Sequence, residues 1–176
     1  MNDQSGANRG IASCPAALVV GIAARTSNAR EMAGTGIIGQ QWGRFVRDNL
    51  VAQIPERVDS AVVAVYTDYT SDKDGEYTFL IGARVKSAEA VPEGMVAKAI
   101  PAGKYAAFLS ERGPVEHVVV QTWQRIWAAG STGLITRIMK STMSGPRILG
   151  AHRWKYLLGC EADRFSSSEL YVAQAK

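Results

Sequence analysis

Ala61-Val62-Val63-Ala64-Val65-Tyr66, then Asp72-Lys73-Asp74-Gly75, then Glu76-Tyr77-Thr78-Phe79-Leu80-Ile81-Gly82-Ala83-Arg84-Val85 is the stretch that decides the fold. The first run is rich in β-branched residues and reads as a strand. Asp74-Gly75 supplies the positive φ that a tight turn demands. The last run sets Tyr77, Phe79, Ile81, Ala83 and Val85 on one face and Glu76, Thr78 and Arg84 on the other. It reads as a half-exposed strand paired to the first. Asp68, Asp72 and Asp74 raise the question of calcium. A calcium-binding loop with its glycine at Gly75 needs a carboxylate at position 81, which is Ile81, so the segment is a plain turn.

Working outward, Ala16-Ala17-Leu18-Val19-Val20-Gly21-Ile22 is a short apolar run that reads as a strand buried on both faces. Gly34, Gly36 and Gly39 surround the entry to a helix whose apolar stripe is Ile38, Trp42, Phe45, Val46 and Leu50. Pro55 stops it. The glycine order matches a dinucleotide fingerprint, but it does not directly follow a strand and no parallel-sheet pattern supports it. The order strand, helix, hairpin then recurs. An extended segment lies within Lys98–Phe108, Pro101 and Gly103 mark a turn, and Gly113-Pro114 introduces a second helix ending at Gly130. Its stripe is Val115, Val119, Trp123, Ile126 and Trp127. Final strands are drawn around Arg147–Leu158 and Glu169–Ala175, while Ile135, Ile138 and Met139 suggest a helical turn within Ser131–Gly145. The expected fold is α+β: two pseudo-symmetric strand-helix-strand-strand repeats forming an antiparallel-rich sheet with two main helices on one face.

The 176 residues, 47% hydrophobic and 20% charged, fit one soluble globular domain. Residues 1–14 read as a disordered lead-in and 15–176 as a single domain. Pro15–Ala24 lacks the basic start and cleavage site of a secretion signal, and no apolar stretch is long enough to span a bilayer. Cys14 and Cys160 read as free thiols of a cytoplasmic protein. The net charge of +4 is uneven. No Asp or Glu lies between His117 and Cys160, a stretch carrying Arg125, Arg137, Lys140, Arg147, Arg153 and Lys155. Such a field attracts anions or acidic partners, but no nucleic-acid-binding motif accompanies it, so direct nucleic-acid binding is not expected.

Several phrases in order carry a resemblance: Leu18-Val19-Val20-Gly21-Ile22, Gln41-Trp42-Gly43-Arg44-Phe45, Tyr66-Thr67-Asp68-Tyr69, Asp74-Gly75-Glu76-Tyr77 and Ile100-Pro101-Ala102-Gly103-Lys104-Tyr105. Trp123-Gln124-Arg125-Ile126-Trp127 and Leu170-Tyr171-Val172 also fit. The chain resembles the effector-binding domain of bacterial transcription activators, in its gyrase-inhibitor-like branch. That resemblance implies two repeats with an aromatic-lined pocket between them for hydrophobic, often cationic, molecules. It also implies an acidic-aromatic-Glu-x-Tyr phrase after the second helix. Here His152-Arg153-Trp154-Lys155-Tyr156 stands there, with Trp154 in place of the Glu. Glu161 or Glu116 would have to substitute for it.

A hydrophobic cation needs aromatic faces and a buried carboxylate. The ligand-binding candidates are Tyr66, Tyr69, Phe79, Tyr105, Trp127, Trp154, Tyr156 and Glu161, while Trp42 and Trp123 sit on helix stripes and read as core. No catalytic residue, metal or cofactor is assigned. The expected function is a stand-alone binder of hydrophobic small molecules, acting by sequestration or sensing. One alternative is a hydrolase of strained or toxic compounds such as cyclopropanoids, for which Glu161, Glu116, His117 and His152 would have to supply acid-base chemistry. The other is an interaction protein acting on gyrase or another nucleic-acid machine through the basic stretch.

Overall fold

The computed structural model describes residues 9–71, 74–109, 121, 137–141 and 154–159, with side chains over 13–71 and 74–105. In chain order the elements are β1 (Arg9–Cys14), β2 (Ala17–Ser27), α1 (Asn28–Met32), α2 (Ile38–Arg47), α3 (Leu50–Gln53), β3 (Arg57–Thr67), β4 (Glu76–Val85), β5 (Val96–Ile100), β6 (Gly103–Leu109), β7 (Arg137–Ser141) and β8 (Trp154–Gly159). The eight strands form one antiparallel sheet in the order β1-β6-β8-β7-β3-β4-β2-β5. The fold is α+β, as expected.

The sheet is organised about the seam between β3 and β7. Outward from it, β3, β4, β2 and β5 on one side answer to β7, β8, β6 and β1 on the other. The correspondence extends to register. Val62↔Ala83 answers to Arg137↔Leu158, Tyr66↔Phe79 to Ser141↔Trp154, and Val19↔Arg84 to Tyr105↔Gly159. Two repeats are therefore built into the backbone pairing.

Sequence and structure differ in four places. Residues 9–14, assigned to the lead-in, form β1, which pairs with β6. The helix drawn through Leu50 divides at Asp48-Asn49, where Asn49 adopts the left-handed conformation at φ 46°. Arg137–Ser141, where a helical turn was expected, is strand β7, its backbone groups satisfied by β3 and β8 on either side. Tertiary pairing overrides local spacing there. Finally, β4 is buried on both faces around Phe79–Ala83 rather than half exposed. The second helix, apart from position 121, and the strand expected at 169–175 lie outside the described residues.

Why β4 is covered twice follows from the ends of the sheet. Cys14↔Gly103 and Ala17↔Ile100 belong to one unbroken register, so β1–β2 and β5–β6 are two long strands lying against each other. The pairing lapses where Pro15-Ala16 meets Pro101-Ala102, because proline has no N–H to donate. The sheet curls, and Tyr105 of β6 joins Val63 and Val65 of β3, Leu80 and Val19 in one apolar cluster on the inner face. The cross-strand pair Gly21↔Gly82 permits the bend. A Cβ on Gly21 would meet the Ile81 carbonyl oxygen at 2.0 Å, and one on Gly82 the Val20 oxygen at 1.9 Å. On the outer face α2 and α3 lay Phe45 and Leu50 over Val20, Ile22, Tyr66, Phe79 and Ile81. Burying one such side chain contributes about 1.5–3 kcal/mol.

Candidate functional site

Glu31 sets where α2 begins, and α2 covers part of the outer face. Its Oε1 accepts from the Thr26 hydroxyl at 2.5 Å and from the backbone N–H groups of Ile37 at 2.9 Å and Ile38 at 3.4 Å. Ile37, the residue at the cap position, makes no side-chain capping bond, so the carboxylate of the preceding helix serves instead. A Cβ on Gly36 would lie 2.1 Å from the Glu31 carboxylate, which explains glycine at that position.

Beneath this helix three of the expected ligand residues come together with a fourth aromatic. The Tyr66 ring lies 5.2 Å from Phe79, edge-on, and 5.7 Å from Tyr77, while Tyr69 stacks on Tyr77 at 4.9 Å. Tyr66, Phe79 and Tyr77 are buried and Tyr69 is half-buried. Tyr77 was placed on the right strand face by its alternation but not singled out. Trp42 packs against the same cluster, as its helix-stripe position suggested.

The register then carries this cluster across the seam. Three successive rows run over β4, β3, β7 and β8: Phe79-Tyr66-Arg137-Leu158, Ile81-Ala64-Met139-Tyr156 and Ala83-Val62-Ser141-Trp154. With strands about 4.8 Å apart and alternate residues about 6.7 Å apart, the rows span about 14 Å each way. Four of the expected residues, Tyr66, Phe79, Trp154 and Tyr156, thus occupy one platform at the centre of the sheet. The first repeat brings its pair to one end and the second repeat brings its pair to the other. Arg137 also belongs here, in register opposite Tyr66. The acid-free stretch drew attention to it, but without β7 there was no way to place it.

Tyr105 does not join them. It lies on the inner face, buried, its hydroxyl donating to the Pro101 carbonyl at 2.5 Å. Burial pushes its phenol above the usual tyrosine range, with Cys14 nearby adding to the effect. Trp127, Glu161, Glu116, His117 and His152 lie outside the described residues. For Trp154 and Tyr156 the backbone position is described.

Just beyond the platform's Tyr66 row the carboxylates are already engaged. Asp68, at φ 53°, takes the Lys98 ammonium on Oδ1 at 2.5 Å, and its carbonyl accepts from Arg25 at 2.7 Å. The Lys98 hydrogen bond holds the Asp68 carboxyl below the usual carboxylate range. Glu76 faces Arg25 at 3.9 Å and Arg30 at 3.6 Å. A separate surface groove of about 420 Å³ opens beside the Pro15 break, between Leu18, Val58, Lys86 and Ile100. None of the expected ligand residues lines it. Among the described residues there is no group of three or more metal-ligating side chains, and no helix is long and apolar enough to cross a membrane.

A two-repeat curled sheet carrying an aromatic centre can now be set beside known proteins. The pattern of the integron-associated effector binding protein family, Cass2, matches residues 10–136. The chain belongs to this family. YobU of Bacillus subtilis strain 168, named as a candidate transcriptional regulator, is 32% identical to this effector-binding chain over 108 residues, 61% of the chain and 68% of YobU. Among solved structures, an integron cassette protein from the mobile metagenome of Vibrio cholerae superposes with a TM-score of 0.67 at 23% identity. That match covers 86% of this chain and 94% of the other. SAV2435, solved bound to tetraphenylphosphonium, gives 0.67 at 12% identity, covering 85% and 92%. These structural matches establish the fold, and the expected effector-binding resemblance is borne out by the family match.

Proposed function

We propose that this effector-binding protein holds a hydrophobic, aromatic small molecule against the central platform and acts by sequestering or sensing it. The observation that carries the reading is the register itself. It gathers Tyr66, Phe79, Trp154 and Tyr156 from two repeats into three adjacent rows. Tyr66 and Phe79 form a buried aromatic floor beneath α2 and α3, and an aromatic-rich interior with few polar groups suits a binder of flat or multi-ring compounds. Membership of an effector-binding family supports the reading, as does a neighbour of the same fold that holds a four-ring ligand. The half-exposed Cys14 is a free thiol, which fits work in a reducing cytoplasm. A thermal-shift screen of multi-ring compounds, followed by tryptophan-fluorescence titration, tests it. A ligand that binds the native state raises the unfolding midpoint with its concentration. Trp154→Ala should then weaken binding by more than about 1 kcal/mol. Unchanged affinity would remove Trp154 from the site.

A further inference from the structure

We propose that the groove beside the Pro15 break is a second binding site, separate from the central platform, for small hydrophobic carboxylates. Two interruptions of strand pairing make the groove. On one side the pairing lapses between Cys14↔Gly103 and Ala17↔Ile100, at the two prolines. On the other side β3 bulges. Arg57 pairs with Val85 and Val62 with Ala83, so residues 58–61 of β3 stand against Arg84 alone. A bulge of this kind bends its strand and re-aims the side chains it carries. The space between the two breaks, about 420 Å³, accommodates a compact organic molecule.

The residues around that space divide into an apolar body and a cationic end. Val85 and Ile100 are buried, Leu18 is half-buried, and Val58 is 49% exposed. Arg84 and Lys86, at the end of β4, are the charged residues that line the groove, and among the described residues no Asp or Glu does so. Asp59, inside the bulge, accepts from Arg84 Nη2 on Oδ2 and from the Ala61 N–H on Oδ1 at 3.0 Å. That pair fixes the guanidinium but uses one of its three nitrogens. The other two have no partner among the described residues, and Nε is buried. Native structures rarely keep a buried donor unmet without a use for it. The Lys86 ammonium is exposed and also has no partner there. An incoming carboxylate therefore meets two cations with free donors, against one neighbouring acid that is already engaged. A guanidinium offers paired N–H groups that match a carboxylate, and beside an apolar wall such bonds are stronger than in open water. A cation would be repelled at the same place, and a neutral molecule would leave the donors unmet.

The test titrates 4-phenylbutyrate, 4-phenylbutan-1-ol and 4-phenylbutylamine into the intact protein and follows amide chemical shifts. The three probes share an apolar body and differ in charge. The butyrate should shift Leu18, Val58, Lys86 and Ala99 saturably, at least about tenfold more tightly than the alcohol, with the amine weakest. Lys86→Gln should weaken the butyrate by up to about fivefold and leave the alcohol unchanged, while Lys86→Arg should retain the affinity. Val58→Asp, which adds a carboxylate at an exposed position of the groove, should weaken the butyrate more than the alcohol. Both positions are exposed, so these variants leave the core intact, whereas Arg84→Gln also strips Asp59 of its cation. Equal binding of butyrate and alcohol, or tighter binding of the amine, would overturn the carboxylate assignment. A butyrate affinity indifferent to both Lys86→Gln and Val58→Asp would overturn it too. Butyrate shifts centred on the β3–β7 seam with the groove silent, or no saturable shift at all, would overturn the groove as a site.

Discussion

Val65 pairs with Leu80 in the first repeat, and at the equivalent register position of the second Lys140 pairs with Lys155. One backbone plan thus carries two unlike contents. In the first repeat the pair is sealed, with Val65 at 0% exposure and Leu80 at 1%, inside the curl of the sheet. In the second, two like charges stand opposite one another, an arrangement that costs stability in an isolated strand pair. The same contrast holds at the bend, where Gly21↔Gly82 answers to Ala107↔Leu157. It holds on the platform too, where Tyr66↔Phe79 answers to Ser141↔Trp154. At the described register positions, then, the first repeat places apolar residues and glycines where the second places lysines and larger side chains.

Exchanging residues between the repeats sharpens that division. Writing the second repeat's lysine into the first, as Val65→Lys, buries an ammonium among Val63, Leu80 and Tyr105. It should cost about 4 kcal/mol or more, read by urea denaturation, enough to unfold a marginal domain. Phe79→Ala should cost about 3–5 kcal/mol by the same measurement, since the ring is fully buried between Tyr66 and the helices. Gly82→Ala drives a Cβ into the Val20 backbone and should cost about 3 kcal/mol. If Gly82→Ala were tolerated, the tight bend of the first repeat would be refuted. Lys140→Glu is the smallest change. It should stabilise by about 0.5 kcal/mol, because it turns a like pair into an opposite one.

Two titrations complete the comparison. The Tyr105 phenol is raised, so its contribution to stability is intact below the ordinary tyrosine value and declines as pH rises through the folded value. Absorbance of the phenolate should show one tyrosine ionising late. Asp68 is lowered, so its contribution is intact above the ordinary carboxylate value and is lost as pH falls through the folded value. Asp68→Asn should flatten the acid limb slightly, the pair with Lys98 being partly exposed.

The first repeat was legible because period-two alternation at Tyr77–Val85 and helical spacing at Ile38–Phe45 act over short distances along the chain. The strand and the helix are both present in the structure, with β4 buried on both faces around Phe79–Ala83. What escaped depends on partners far away in sequence. Residues 9–14, Arg-Gly-Ile-Ala-Ser-Cys, are mostly small with no strand-like run of their own, and they become a strand because β6 offers an edge to pair with. Arg137–Ser141 mixes charge and apolar residues at no clean period, and is held by β3 and β8. For the site, residue types could name Tyr66, Phe79, Trp154 and Tyr156, but only register could unite them. Tyr105, named on the same grounds, went to the other face because strand position, not residue type, decides the side.

The most direct test of the platform is amide chemical-shift mapping of the protein as a saturating multi-ring ligand is added. The account predicts perturbations centred on Ala64, Tyr66, Met139 and Tyr156, spanning the β3–β7 seam. Perturbations centred instead on the groove at Leu18, Val58 and Lys86, with the seam silent, would contradict it.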